Sequence, residues 1–141
     1  MTVRVRRAFE FEVPAERVWD FIADPGKRAE AISVVRDYEV DGDAATWHID
    51  LQLPFVDRTA TVETEDVERE PPTYVKFVGR SKVMRVTGEH RITETETGCR
   101  LDNEFVVDGR LPGVERFFKK RLDDELTNLE TALRRDLGLT A

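Results

Sequence analysis

The C-terminal segment constrains the fold more than any other feature of the chain. Apolar residues recur there at spacings of three and four, so they share one face of a single helix over about residues 113–138. The members of this face are Val114, Phe118, Leu122, Leu126, Leu129, Leu133 and Leu137. Residues 14–32 also follow helical patterns, whereas residues 34–110 follow the patterns of successive strands. Because the long helix must bury its apolar face, we predict an α+β fold in which a curved antiparallel sheet of about seven strands wraps around it, with room for a cavity.

Composition places this chain among single-domain proteins. It has 141 residues, of which 40% are hydrophobic, enough for one domain spanning residues 1–141. No stretch approaches the roughly 20 apolar residues of a membrane span, and the alternating N-terminus lacks the apolar core of a signal peptide. The single cysteine, Cys99, excludes an internal disulfide framework and fits a small core residue in a reducing compartment. We therefore expect a cytoplasmic protein without stable membrane insertion.

Charge excludes one class of partner. The net charge is −7 and the basic residues are scattered, so the basic stripe that nucleic-acid binding needs is missing. An acidic surface of this kind suits either a salt-rich cytosol, where screening tolerates it, or ordinary solubility. Acidic residues are most frequent on the expected solvent faces around the fourth strand: Glu63, Glu65, Asp66, Glu68 and Glu70.

Alternation of apolar and polar residues assigns the strands, and proline and glycine mark the turns. Pro14 fits the first turn of a helix. The segment Asp24-Pro25-Gly26 is expected to end that helix, because the residue before a proline is pushed out of the α region, and a second short helix follows over about residues 27–32. Strands are expected over about residues 3–13, 34–40, 47–55, 58–68, 74–79, 84–92 and 99–107.

The last hairpin permits a prediction of register. A turn over residues 95–98 pairs Ile92 with Leu101 and His90 with Asn103, provided that the loop has an even number of residues. This register keeps the apolar residues of both strands on one face, as the two-residue period of a strand requires. His90 and Asn103 are then polar neighbours on the concave face of the sheet.

The order β-α-α-β(×6)-α resembles the START-like superfamily, also called SRPBCC, with its helix-grip fold. Two segments carry the resemblance: FEFEVPAERVWDFIADPGKRAEAI near the start and LPGVERFFKKRLDDELTNLETAL at the end. The first is similar to the opening of polyketide cyclase/dehydrase-like and coenzyme Q-binding-like members. The resemblance covers essentially the whole chain and implies a ligand between the sheet and the last helix. Members bind or transport lipids, quinones or hormones, cyclise polyketides, or act as assembly factors or co-chaperones, and they share no catalytic residue that transfers to this chain.

Aromatic and polar residues at inward phases are the candidates for ligand binding. Aromatic rings offer apolar area, and tyrosine and tryptophan add a polar tip that orients a ligand; the alternative is that the rings simply fill the core. Arg36 shares the phase of its strand with inward residues, so it either anchors a carboxylate or phosphate or lies at the sheet edge in water. The residues expected to contact a ligand are Tyr38, Trp47, Phe77, His90, Asn103, Phe105, Phe118 and Leu122.

Motifs for catalysis, metals and cofactors are not found in the sequence. Two histidines and one cysteine without close spacing do not build a closed zinc site. Ser33 and Ser81 lack a G-x-S-x-G setting, and no glycine-rich phosphate loop is present, so we expect no metal and no cofactor. His48 alternates outward. His90 is the one candidate acid or base, since an unperturbed imidazole titrates near neutrality; a hydrogen-bonded core histidine is the alternative.

These patterns predict binding or transport of a hydrophobic small molecule between the sheet and residues 113–138, by a monomer or a homodimer. Candidate ligands are a lipid, an isoprenoid quinone or a polyketide-like compound. Two alternatives stay open: a cyclase or dehydratase that uses His90 as acid and base, and an assembly or co-chaperone factor that acts through its surface. The aromatic and basic residues at positions 117–121 offer a further contact with an anionic membrane or a partner.

Overall fold

Seven strands and three helices succeed one another in the part of the chain that the computed structural model describes, residues 2–53 and 56–139. The expected α+β order of elements is confirmed. The expected end of the third strand at Pro54 and Phe55 lies outside the described residues. In chain order the elements are β1 (Thr2–Phe11), α1 (Ala15–Ile22), α2 (Pro25–Ala31), β2 (Val35–Asp41), β3 (Ala44–Leu53), β4 (Val56–Glu70), β5 (Tyr74–Arg80), β6 (Met84–Glu94), β7 (Cys99–Gly109) and α3 (Val114–Asp136).

The strands form one antiparallel sheet in the order β1-β7-β6-β5-β4-β3-β2. The helices α1 and α2 connect β1 at one edge to β2 at the other. The long helix α3 contacts both β1 and β3, which four other strands separate in the sheet, so the sheet must curve around the helix. Leu126, Leu129 and Leu133 on the inner face of α3 are at most 1% exposed. None of the helices in the described part of the chain has the length and apolar character needed to cross a membrane.

The predicted register of the last hairpin is confirmed. His90 lies opposite Asn103, and Ile92 lies opposite Leu101. Their side chains are buried on the face of the sheet that carries the core. Cys99, at the start of β7, is also buried there with a free thiol.

The junction between the first two helices differs from the prediction. The Asp24-Pro25-Gly26 segment begins α2 rather than only ending α1. Asp24 Oδ1 accepts hydrogen bonds from the amides of Gly26 at 2.9 Å and Lys27 at 3.2 Å, which is the geometry of a helix N-cap. Pro25 then occupies the first helical turn, where its missing N–H costs no hydrogen bond.

One acidic residue of β4 lies on the inner side of the strand, next to a bulge. The pairing of β4 with β5 shifts between Asp66 and Glu68. The side chain of Asp66 is only 1% exposed, so its expected place on the solvent face is wrong. Glu63 and Glu65 on the same strand are exposed, as expected. Asp66 therefore belongs to the interior, where an opposite charge must accompany it.

A second bulge, between Val35 and Asp37 in β2, contains Arg36, which was expected either to anchor a ligand inside or to lie in water at the sheet edge. The Arg36 side chain is 69% exposed and forms an ion pair with Asp50 at 3.6 Å. Arg36 therefore lies in water at the edge of the sheet and does not point into the interior.

Candidate ligand-binding site

A small apolar cavity lies between the sheet and the N-terminal half of α3. Its volume is about 30 Å³, which is room for one water molecule but far below the roughly 300 Å³ at which small-molecule pockets begin. The interior is therefore nearly filled, and a larger ligand would have to displace side chains. The cavity is lined by Ile32, Val34, Trp47, Ile49, Phe77, Met84, Val86, Phe105, Val107, Phe118, Leu122 and Glu125.

The structure brings together most of the residues expected to contact a ligand. The cavity wall includes Trp47, Phe77, Phe105, Phe118 and Leu122. The polar pair formed by the other two interior candidates does not line the cavity but packs behind Phe77, as described below.

Tyr38 lies apart from this group. It is half-buried on the edge strand β2, and its hydroxyl donates to Glu30 Oε2 at 3.3 Å. Its side chain therefore connects β2 to α2 and does not line the cavity.

The hydrogen bonds of Asn103 define the state of His90. Asn103 Nδ2 donates to the carbonyl oxygens of Arg7 at 3.2 Å and Leu101 at 3.5 Å. Its Oδ1 consequently faces His90 Nδ1, at 2.8 Å. An amide oxygen only accepts, so His90 Nδ1 must carry the hydrogen and donate it. In the neutral ring the other nitrogen, Nε2, is then an acceptor.

The surroundings of His90 keep its ring neutral. Its side chain is 1% exposed, and burial, followed by the nearby Arg28 guanidinium, lowers the pKa of His90 to about 3. A general base works best when its pKa lies near the operating pH. An imidazole with so low a pKa is a weak base near neutrality, so the structure gives no support to the acid/base role considered for His90.

The ring of Phe77 packs against an aromatic ring, an imidazole and a guanidinium group of the interior. Its centroid lies 5.5 Å from the Trp47 ring and 6.2 Å from the His90 ring. The Arg28 guanidinium carbon lies 5.1 Å from the same centroid. The ring covers Gly88 on the neighbouring strand, where a Cβ atom would be 2.1 Å from Phe77 Cε1. Glycine at position 88 therefore makes the space that the Phe77 ring fills.

A buried ionic cluster holds the two short helices against the sheet. Arg28 Nη2 lies 2.5 Å from Asp66 Oδ1, and Arg69 Nη1 lies 2.6 Å from Asp66 Oδ2. The arginines also donate to the carbonyls of Ile22 and Ala23, each at 2.9 Å. Desolvation by burial lowers the pKa of Arg28, while Asp66 opposes that shift. The sequence contained a signal for this cluster, because the alternation that buries residues 62 and 64 also points Asp66 inward.

A second buried carboxylate fastens the middle of α3. Glu125 is 2% exposed and accepts from the Ser33 amide at 3.1 Å, the Ser33 hydroxyl at 2.7 Å, the Val34 amide at 3.0 Å and Asn128 Nδ2 at 2.7 Å. Sequence analysis missed this residue. Its spacing of three from Leu122 places it on the buried face of the helix, which is the signal that would have found it.

Metal ligands do not gather in the described part of the chain. No group of three or more histidine, cysteine, aspartate or glutamate side chains there is placed to hold an ion.

Comparison with known proteins identifies the family. Residues 2–134 match the family described as polyketide cyclase / dehydrase and lipid transport. The chain belongs to this family. No curated protein matches the chain in sequence.

Solved structures of the family's fold superpose over nearly the whole chain. A START superfamily protein from Mycobacterium smegmatis is 14% identical with a TM-score of 0.74, covering 97% of this chain and 99% of that one. A conserved protein from Geobacillus kaustophilus is 14% identical with a TM-score of 0.73, covering 96% and 95%. The Zhui aromatase/cyclase from Streptomyces sp. R1128 is 15% identical with a TM-score of 0.60, covering 96% of each chain. The predicted START-like, or SRPBCC, helix-grip fold is thereby confirmed.

Proposed function

We propose that this protein binds, and transports, a hydrophobic small molecule between the sheet and α3. The observation that carries the proposal is the composition of the cavity wall. Four aromatic residues and the aliphatic side chains around them converge there, and the one acidic group among the described residues of the wall, Glu125, has its carboxylate occupied by four donors. Such a wall favours binding of an apolar ligand surface and provides no free charged group to pair with a charged metabolite.

The cavity must enlarge to admit such a ligand, and the N-terminal turns of α3 are the part of that helix with the fewest polar side-chain contacts to other described residues. From position 123 onward the helix is tied to β1, because Arg7 Nη1 bonds to Asp123 Oδ1 at 3.2 Å and Arg134 Nη2 to the Glu10 carbonyl at 3.1 Å. No polar side chain of residues 114–120 bonds to another described residue. These turns begin after Gly113, whose φ of 93° is a left-handed conformation that glycine adopts without steric strain. We infer that the ligand enters by displacing this end of the helix.

The experiment compares two leucines on one face of α3. Leu122→Ala removes a cavity-lining side chain, whereas Leu133→Ala removes an equally buried one that does not line the cavity. Both variants lose about 2–5 kcal/mol of stability from the same truncation. Titration with the neutral fluorescent probe N-phenyl-1-naphthylamine should show saturable binding to the wild type, with altered affinity in the Leu122 variant alone. Equal affinity in both variants, or no saturable binding, would contradict the proposal.

One observation favours a second function. A cavity of about 30 Å³ is also what a filled core contains, as expected of an assembly or co-chaperone factor that works through its surface. Native mass spectrometry of the freshly purified protein separates the two. A stoichiometric adduct extractable into organic solvent supports the ligand-binding function, and a bare protein that also fails to bind the probe supports the surface function.

A further inference from the structure

Three buried nitrogen atoms lack a hydrogen-bond partner among the described residues: Arg28 Nε, Trp47 Nε1 and His90 Nε2. The residues that carry them are 4%, 4% and 1% exposed. Buried polar atoms almost always have a partner, since an unmade hydrogen bond leaves the cost of desolvation uncompensated. The three side chains all pack against the ring of Phe77. Unsatisfied polar atoms are therefore concentrated around one side chain of the cavity wall.

Each of the three atoms has a defined role. Arg28 is a cation whose Nε carries a hydrogen, and the indole nitrogen of Trp47 only donates. His90 Nε2 accepts, because the bond from Nδ1 to Asn103 Oδ1 places the ring hydrogen on the other nitrogen. Together the atoms offer two donors and one acceptor.

The chemical complement of two donors and one acceptor is a hydroxyl group, which has two lone pairs and one hydrogen. We propose that the natural ligand is an apolar molecule that carries a hydroxyl, a phenol or an alcohol, and that this group takes the position of the Phe77 ring. There it accepts from Trp47 Nε1 and Arg28 Nε and donates to His90 Nε2. This inference rests on the proposed function, because it assigns the polar end of the ligand in the same site.

Phe77 is placed to make room for that group. Its ring lines the cavity and packs against Arg28, Trp47 and His90, so turning the ring away opens the cavity toward these three side chains. Other head groups satisfy fewer atoms. A ketone or an ether accepts from the donors but gives no hydrogen to His90, and a carboxylate has the same deficiency near neutral pH. The charge of Arg28 is already paired with Asp66, so it offers a carboxylate little further attraction.

The test uses three probes that share one apolar body: 1-naphthol, 1-methoxynaphthalene and 1-methylnaphthalene. Their dissociation constants are measured by calorimetry on the wild-type protein. We expect 1-naphthol to bind about tenfold more tightly than 1-methylnaphthalene, which corresponds to ordinary hydrogen bonds, although the methyl compound has the greater hydrophobic drive. The methoxy compound should lie between them, since it lacks the hydrogen for His90 Nε2.

Two tryptophans provide a matched pair of variants. Trp47→Phe removes the indole N–H and keeps an aromatic ring at the site, whereas Trp19→Phe makes the same change outside the cavity wall. The preference for 1-naphthol should fall severalfold in the first variant and stay unchanged in the second. A readout without any substitution is the ¹⁵N resonance of His90 Nε2, which should move with 1-naphthol and not with 1-methylnaphthalene.

The outcomes separate this inference from the proposed function. Equal dissociation constants for 1-naphthol and 1-methylnaphthalene overturn the hydroxyl assignment and leave apolar binding intact. The same holds if the ¹⁵N chemical shift of His90 Nε2 does not change when 1-naphthol is added. Failure of all three naphthalenes and of the neutral fluorescent probe overturns both.

Discussion

His90 Nδ1 donates to Asn103 Oδ1 at 2.8 Å, across two strands that pair these residues directly. The bond fixes the tautomer of a histidine that lies among Phe77, Phe105 and the Arg28 guanidinium. It decides which nitrogen faces the rest of the interior, and it makes that nitrogen an acceptor. The pairing thus turns a titratable side chain into a neutral polar group within an apolar core.

The first prediction concerns stability against pH. Burial lowers the pKa of folded His90 to about 3, against 6.5 for an unperturbed histidine. At pH values between these two pKa values, His90 is protonated in the unfolded chain and neutral in the folded chain. The free energy of unfolding therefore falls as the pH falls. We expect a loss of about 2 kcal/mol from this residue between pH 6.5 and pH 5. Urea denaturation at the two pH values measures it.

The only other histidine supplies the control. His48 is partly exposed beside Glu39, with 2.9 Å between Nε2 and Oε2. The His48→Gln variant should keep the loss of stability on acidification, and His90→Gln should remove most of it. If His90→Gln and the wild type lose the same free energy, the residue is not kept neutral in the fold.

The second prediction concerns the space beneath Phe77. A methyl group at position 88 would meet the Phe77 ring at 2.1 Å, so Gly88→Ala forces the ring out of place. We expect a loss of about 1–3 kcal/mol, as for other overpacked cores. The double variant that adds Phe77→Leu should recover part of it, since residues in contact are energetically coupled. Strictly additive losses in thermal or urea unfolding would count against this contact.

The sequence predicted the elements whose residues repeat with a regular period. The apolar stripe of α3 and the alternation in β6 and β7 each extend over many residues, so a single exception does not hide them. The pairing of His90 with Asn103 followed from the length of one loop, and no tertiary information was needed.

Features that depend on a single local departure were not predictable in this way. The bulge in β2 interrupts the strand period and places Arg36 outside. Asp66 was assigned to the solvent face although it shares the inward phase of residues 62 and 64, because a carboxylate at an inward position makes sense only with the Arg28 guanidinium beside it. Glu125 was overlooked because a carboxylate on an apolar stripe makes sense only with Ser33 and Val34 beside it. The volume of the cavity depends on how side chains pack across elements distant in sequence, which no pattern along the chain records.

The third prediction tests the buried ionic cluster. Asp66→Ala leaves the charge of Arg28 buried without its partner, which typically costs 3–5 kcal/mol. Glu65→Ala removes the neighbouring carboxylate, which is 59% exposed and pairs with the similarly exposed Arg80 at 3.6 Å. Exposed ion pairs contribute little, so we expect this control to change the free energy of unfolding by less than about 1 kcal/mol. Similar losses in the two variants would show that Arg28 does not depend on Asp66.

The last prediction localises the contact between α3 and the chain that precedes β2. Glu125 accepts the amide hydrogens of Ser33 and Val34, so Glu125→Leu should leave both amides without a partner and cost about 3 kcal/mol. Asp124→Leu makes the corresponding change on the exposed side of the helix. Native-state hydrogen exchange resolves the difference, since the amides of Ser33 and Val34 should exchange faster in the Glu125 variant relative to other amides of the same protein. Unchanged relative protection of these two amides would place the anchor of α3 elsewhere.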